Sequence, residues 1–157
     1  MAFFFTRGDR VKENTPEVFN ENIRRRSDAA ILFYASHPEK IDERLEELEN
    51  EWDIERYLES NAASFALAGV ILGMLFNKKW LILPAAVTSF LLLHAVQGWC
   101  PPLPIFRRMG VRTKEEIMRE YYALRALRGD FDDLQSLNEA PLYQKVDQLI
   151  RLIDHQI

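Results

Sequence analysis

The sequence predicts an all-α protein, a two-helix transmembrane hairpin with amphipathic cytoplasmic helices on both sides. Three observations predict it. Charge is missing from the middle of the chain: residues 1–60 hold 9 Lys and Arg and 15 Asp and Glu, residues 105–157 hold 9 and 9, and residues 61–104 hold only Lys78 and Lys79. Those two lysines lie between two uncharged runs, 60–77 and 80–106, where a soluble amphipathic helix would carry charge on its outer face every turn or so. The flanks carry apolar residues at helical spacing behind capping signals, and no segment alternates with the period of a strand.

Whole-chain averages hide this partition. Charged residues make up 28% of 157 residues and apolar residues 48%, as in an ordinary globular chain. A net charge of -4 argues against a general nucleic-acid binder. A single cysteine excludes an internal disulfide and any multi-cysteine metal site. The partition divides the chain into a cytoplasmic helical region at 1–56, a membrane hairpin at 57–104 and a second cytoplasmic helical region at 105–157.

In the first region, Thr15-Pro16-Glu17 reads as an N-cap followed by proline at the first helical position, opening a helix to about Ala35. Ser36-His37-Pro38-Glu39 fits a capping box for the next helix. That helix carries Ile41, Leu45, Leu48 and Trp52 as one stripe on an acidic rod and is expected to run on toward the first span. The first residues are not expected to act as a signal peptide, because Phe3-Phe4-Phe5 is too short for an apolar core and Arg7, Asp9 and Arg10 follow at once.

The spans are expected at about 58–77 and 80–99. The second, residues 80–99, is 20 residues with a tryptophan at each end; as a helix it covers about 28 Å, close to the hydrocarbon thickness of a bilayer. Trp80 and Trp99 then lie at the two interfaces. The first run has only 15 apolar residues, 62–76, or about 22 Å of helix, and draws on Tyr57, Leu58 and the stems of Lys78 and Lys79 to cross. Lys and Arg set the orientation. Two lie in the turn, while Arg44, Arg56, Arg107, Arg108, Arg112, Lys114 and Arg119 flank the opposite side, so both termini are expected in the cytoplasm. After the hairpin, Thr113-Lys114-Glu115-Glu116 is a capping box for a helix bearing Ile117, Tyr121 and Leu124, ending near Gly129. Asn138 caps a last helix with Leu142, Val146, Leu149, Ile150 and Ile153. The flanking stripes pack on one another, on a second copy, or on a different protein.

Candidate functional residues are few. Gly69 and Gly73, extended by Ala62 and Ala66, form a small-residue face that either packs on the second span or forms a self-association seam. His94 is the ionisable group inside the second span, with Gln97 three residues on; it is expected to bond Gln97 or backbone, the alternative being a proton relay or ligand site. Cys100 ends the second span before Pro101-Pro102. It is either a small terminating residue or, with Arg107 and Arg108 near, a nucleophile or sulfur acceptor. The prolines deny it the backbone N–H cradle of anion-binding thiol loops. No His/Cys/Asp/Glu spacing suggests a metal, no phosphate loop or hydrolase motif is present, and no cofactor is expected.

The segment Gln97-Gly98-Trp99-Cys100-Pro101, followed by Met109-Gly110-Val111 and preceded by Asn61 before the first span, resembles the YgaP-like transmembrane domain family over about residues 57–112. The stretch from Cys100 to Gly110, with Pro101, Pro102 and Pro104, is longer than in that family. The resemblance implies a small bacterial inner-membrane hairpin that anchors and self-associates. Some members are fused to a rhodanese domain, which this chain lacks, since its one cysteine falls at the membrane edge. The expected function is therefore non-enzymatic: an anchor, self-association element or accessory subunit of a larger membrane complex, with the lipid bilayer and a second copy or other membrane proteins as partners. The alternative is a membrane-tethered sulfur-transfer or redox helper working through Cys100.

Overall fold

The computed structural model describes residues 7–131, and the expected helix after Asn138 lies outside them. Every described element is helical: α1 (Arg7–Glu13), α2 (Glu17–Ala35), α3 (Ile41–Asn50), α4 (Ile54–Leu75), α5 (Ile82–Gln97), α6 (Leu103–Met109) and α7 (Lys114–Arg128). Single 3₁₀ turns at Pro38–Lys40 and Lys78–Leu81 lead into α3 and α5. Both α4 and the stretch Lys78–Gln97 are long and apolar enough to cross a membrane.

The charged helices form a cap in which α2 and α3 both pack on α7. Its core joins Ile41, Leu45 and Leu48 of α3 to Ile117 and Leu124 of α7, flanked by Tyr34 and Tyr121. Helix α7 begins and ends on the signals that predict it. Thr113 and Glu116 make a reciprocal capping box, and Gly129 closes the helix at φ 92°, a left-handed conformation natural to glycine. A second core, Val11, Ile54, Leu58, Cys100 and Leu103, joins α1 and α6 to the end of the α4–α5 pair.

Three local expectations change. Helix α2 is capped by Pro16 with no side-chain cap, because the Thr15 hydroxyl donates back to the Val11 carbonyl at 2.6 Å. Ser36 closes α2 instead of opening α3: its hydroxyl donates to the Phe33 carbonyl at 2.8 Å, and His37 Nδ1 lies 2.9 Å from the same oxygen. The acidic helix does not run on into the first span. It stops at Asn50, and Asp53 caps a new helix by accepting from Arg56 N at 2.8 Å, while Ile54 N donates to the Arg112 carbonyl at 2.8 Å. Trp52 therefore leaves the stripe for the break, where the Arg56 guanidinium lies 4.2 Å over its ring. Helices α1 and α6 were not expected.

Buried ion pairs join the cap helices. Glu120, 1% exposed, accepts from Arg44 of α3 and from Arg112, which also pairs with Glu51. Burial works against the Arg112 charge, but Glu51 and Glu120 outweigh it and hold the guanidinium above its ordinary range. At the end of α7, Arg128 binds Asp130 and reaches Asp42 of α3 at 2.6 Å. Arg128 and Arg125 hold the Asp130 carboxyl down at about 2, against an ordinary 3.8. A carboxylate whose folded value is depressed adds stability above its unfolded value, and that stability is lost as pH falls through the folded one. Cap stability should therefore hold steady above about pH 5 and decline between about pH 4 and 2, with Asp130→Asn flattening part of that slope. Thermal melting across this range checks it; an unchanged slope in the variant would assign the decline to other carboxylates.

Candidate functional site

The site starts from the face that α4 turns inward. Ile54, Leu58, Gly69 and Gly73 are buried along it, with Ala62 and Ala66 half-buried between them. Spacings of three and four place them on one side of the helix. Facing them on α5 are Leu83, Pro84, Val87, Leu91 and His94. The two helices run antiparallel. At one end a Cβ on Gly73 would meet Leu81 Cδ2 at 2.6 Å, further along one on Gly69 would meet Pro84 Cδ at 2.5 Å, and at the other end His94 reaches Glu55. The two glycines are thus occupied by the chain's own second helix.

His94 is 5% exposed. Its Nε2 lies 3.2 Å from Glu55 Oε2, at the start of α4, and Gln97 is exposed beside it. The expected Gln97 partner is thus replaced by an acid from the other helix. An ionised carboxylate only accepts, so this contact places a hydrogen on Nε2. That Nδ1 is buried with no hydrogen-bond partner. The Cys100 side chain, 4% exposed, lies against the same ring.

Cys100 is held there by how α5 ends. Gly98 adopts φ 76° and turns the chain sharply. No side chain fits there, since a Cβ would meet Arg10 Cβ at 2.6 Å. Arg10 donates to the Val96 carbonyl at 2.9 Å, and Asn14 donates to the Gln97 carbonyl at 3.1 Å. A cation and an amide from the first turns of the chain thus satisfy carbonyls at the negative end of α5. The Leu103 amide then donates to the Cys100 carbonyl at 3.1 Å as α6 begins.

His94 and Cys100 line one wall of a groove of about 360 Å³ between the helices. Leu58, Ala62, Phe65, Phe90, Leu91 and Ile105 make most of the rest, and Asn61 adds an amide. Phe65, Phe90 and Ile105 at its edge are exposed. The groove thus leads from the apolar outer surface to a thiol and an imidazole.

Other predicted residues sit elsewhere. Arg107 is 1% exposed and turned away from the thiol. It donates to both Glu116 oxygens at 2.7 and 2.9 Å, to Asn20 at 2.8 Å and to the Val111 carbonyl at 3.0 Å. Burial would raise the Glu116 carboxyl, but Arg107 and the Thr113 amide hold it below its usual range. Arg107 is therefore a fastener between α6, α7 and α2. Arg108, Lys78, Lys79, Trp80 and Trp99 are exposed. Among the described residues no group of three or more His, Cys, Asp and Glu is placed to hold a metal.

Sequence reasoning missed Glu55 and Arg10. Glu55 lies 39 residues from His94, and Arg10 lies in a segment with no helical stripe. One signal could have found Glu55, an acid one turn before the charge-free run and level with the only ionisable residue of the other span. No family model, no curated protein and no solved structure matches the chain.

Proposed function

We propose that this protein is a small non-catalytic inner-membrane hairpin, with α4 and α5 as its two spans and the charged helices as a cytoplasmic cap. The observation that carries the reading is the outer surface of the helix pair. Leu67, Met74, Leu75, Phe76, Ile82, Leu92 and Val96 are each more than 60% exposed, on helices without charge between Ser60 and Asn77 or between Trp80 and Gln97. A water-soluble monomer rarely leaves so continuous an apolar surface bare, and hydrocarbon covers it without cost. Trp80 at the turn and Trp99 at the far end suit the two interfaces, and α6 adds exposed Ile105 and Met109 beside Arg108 at the inner one. The excess of Lys and Arg on the cap side favours a cytoplasmic cap.

In this reading the hairpin anchors the cap, which serves as a self-association element or as an accessory subunit of a larger membrane complex. The resemblance to YgaP-like hairpins supports the same topology. Because Gly69 and Gly73 are filled from within the chain, self-association would use the outer faces of the spans or the cap. A sulfur-transfer or redox helper is the second reading, and the His94–Cys100 contact is what favours it.

Alkaline extraction of bacterial membranes tests the anchor: the chain should stay with the pellet and be released by detergent. In a Cys100→Ser background, Lys79→Cys should react with an impermeant maleimide from outside intact cells, whereas a cysteine at Lys114 should react only after lysis. A freely dissolved, monodisperse chain without amphiphile would overturn the reading, as would labelling of both positions from the same side.

A further inference from the structure

We propose that Cys100 is an acyl-acceptor site, in which His94 takes the thiol proton, Glu55 orients His94, and the groove between α4 and α5 holds the hydrocarbon chain of a long-chain acyl thioester. The thiol stands at the inner end of a groove whose walls are almost wholly hydrocarbon: Leu58, Ala62, Phe65, Val87, Leu91 and Ile105. At about 360 Å³ it falls in the range of small-ligand pockets, roughly 300–1,000 Å³. The second observation is the ring beside the thiol. His94 is buried in the same wall with Nδ1 unpartnered, while its Nε2 is held by Glu55. A nucleophile, a base against it and a third group orienting that base are the parts of an acyl-transfer site, and such contacts tighten when substrate binds. Asn61 places an amide on the groove, and its Nδ2 gives one hydrogen to the Tyr57 carbonyl at 3.0 Å, leaving its second for a developing oxyanion.

The step needs no oxidant or reductant. The Cys100 proton passes to His94 Nδ1 as the sulfur attacks the thioester carbonyl carbon. The tetrahedral intermediate expels the leaving thiolate, which takes the proton from His94, so a new sulfur–acyl bond replaces the old one. An acyl chain seated this way would fill the groove and add a further lipid contact at the inner end of the spans.

The site borrows from the membrane reading only the orientation of the groove toward lipid. The full-length chain, reconstituted in vesicles of phosphatidylethanolamine and phosphatidylglycerol, would be incubated with palmitoyl-coenzyme A or acetyl-coenzyme A and followed by intact mass. One acyl group should appear on Cys100, be removed by neutral hydroxylamine, and be absent from Cys100→Ser. His94→Gln should slow palmitoylation at least tenfold and remove its pH dependence. Ala62→Phe, which narrows the groove, should slow palmitoyl transfer several-fold more than acetyl transfer. An unmodified Cys100 would overturn the proposal. So would equal palmitoylation of the wild type and folded His94→Gln, or equal treatment of both chain lengths in the wild type and Ala62→Phe. An integral chain with an inert thiol sinks this site and leaves the hairpin standing; an acylated chain that needs no amphiphile does the reverse.

Discussion

Replacing Glu120 with alanine should lower the stability of the cap by about 3–5 kcal/mol, the usual cost of removing one partner from a buried ion pair. Glu120 is 1% exposed, and both of its oxygens are engaged, by Arg44 Nε at 2.9 Å and by Arg112 Nη1. Arg112 is itself 8% exposed and would retain only Glu51 and the Ser27 hydroxyl. The cost comes less from the lost attraction than from cations left in a site that water reaches poorly. Helix α7 should loosen from α2 and α3, with a fall in melting temperature of the order of 10 °C. Glu47→Ala is the matched control, because Glu47 also pairs with Arg44 but is 56% exposed, and such pairs contribute about 0–1 kcal/mol. Equal melting of the two variants would show that the Glu120 cluster is well hydrated.

Substitution at Gly69 should disrupt the helix pair far more than the same change at Gly73. A Cβ at Gly69 would fall 2.5 Å from Pro84 Cδ and 3.1 Å from Leu83 Cβ, atoms held by a ring and a backbone. A Cβ at Gly73 would fall 2.6 Å from Leu81 Cδ2 and 2.9 Å from Leu81 Cγ, atoms of one exposed side chain that can rotate away. Gly69→Ala should therefore cost about 1–3 kcal/mol as overpacking. Gly73→Ala should be near neutral, because alanine recovers about 1 kcal/mol of helix propensity. Gly69→Ile with Gly73→Ile should force α4 and α5 apart, lowering the melting temperature of the detergent-solubilised chain well beyond either alanine variant. Unaltered stability in the double variant would place both glycines against lipid or detergent.

These two predictions draw on different parts of the sequence. Gly69 and Gly73 stood out from sequence alone, since small residues four apart in an apolar run admit a close neighbour. Which neighbour they admit depends on the turn at Lys78–Leu81, which returns Leu81, Leu83 and Pro84 onto them. Glu120 was one acid among the 24 of the chain, and nothing local separates it from exposed Glu115. Its burial comes from α3 and α7 meeting along Ile41, Leu45, Leu48, Ile117 and Leu124. The sequence alone puts Arg107 at the membrane edge, whereas it is a buried fastener, because the stretch after Cys100 forms α6 and points it at Glu116. The break at residues 51–53 was legible in principle from Asp53, which can cap a helix, but continuity of apolar spacing through Trp52 favoured a longer rod.

The sequence by itself determined the helical class, the limits of α7, and the position of two apolar runs either side of Lys78 and Lys79, because capping, helical periodicity and the absence of charge are local properties of a chain. Only the tertiary structure decided that Glu55 stands behind His94, that Cys100 lies against the same ring, and that Arg10 and Asn14 satisfy the carbonyls at the end of α5. Those pairings join residues 39 to 86 positions apart, apart from Cys100 six residues after His94. They arise when two helices pack antiparallel and a short helix covers their end, and no periodicity along a single segment records that.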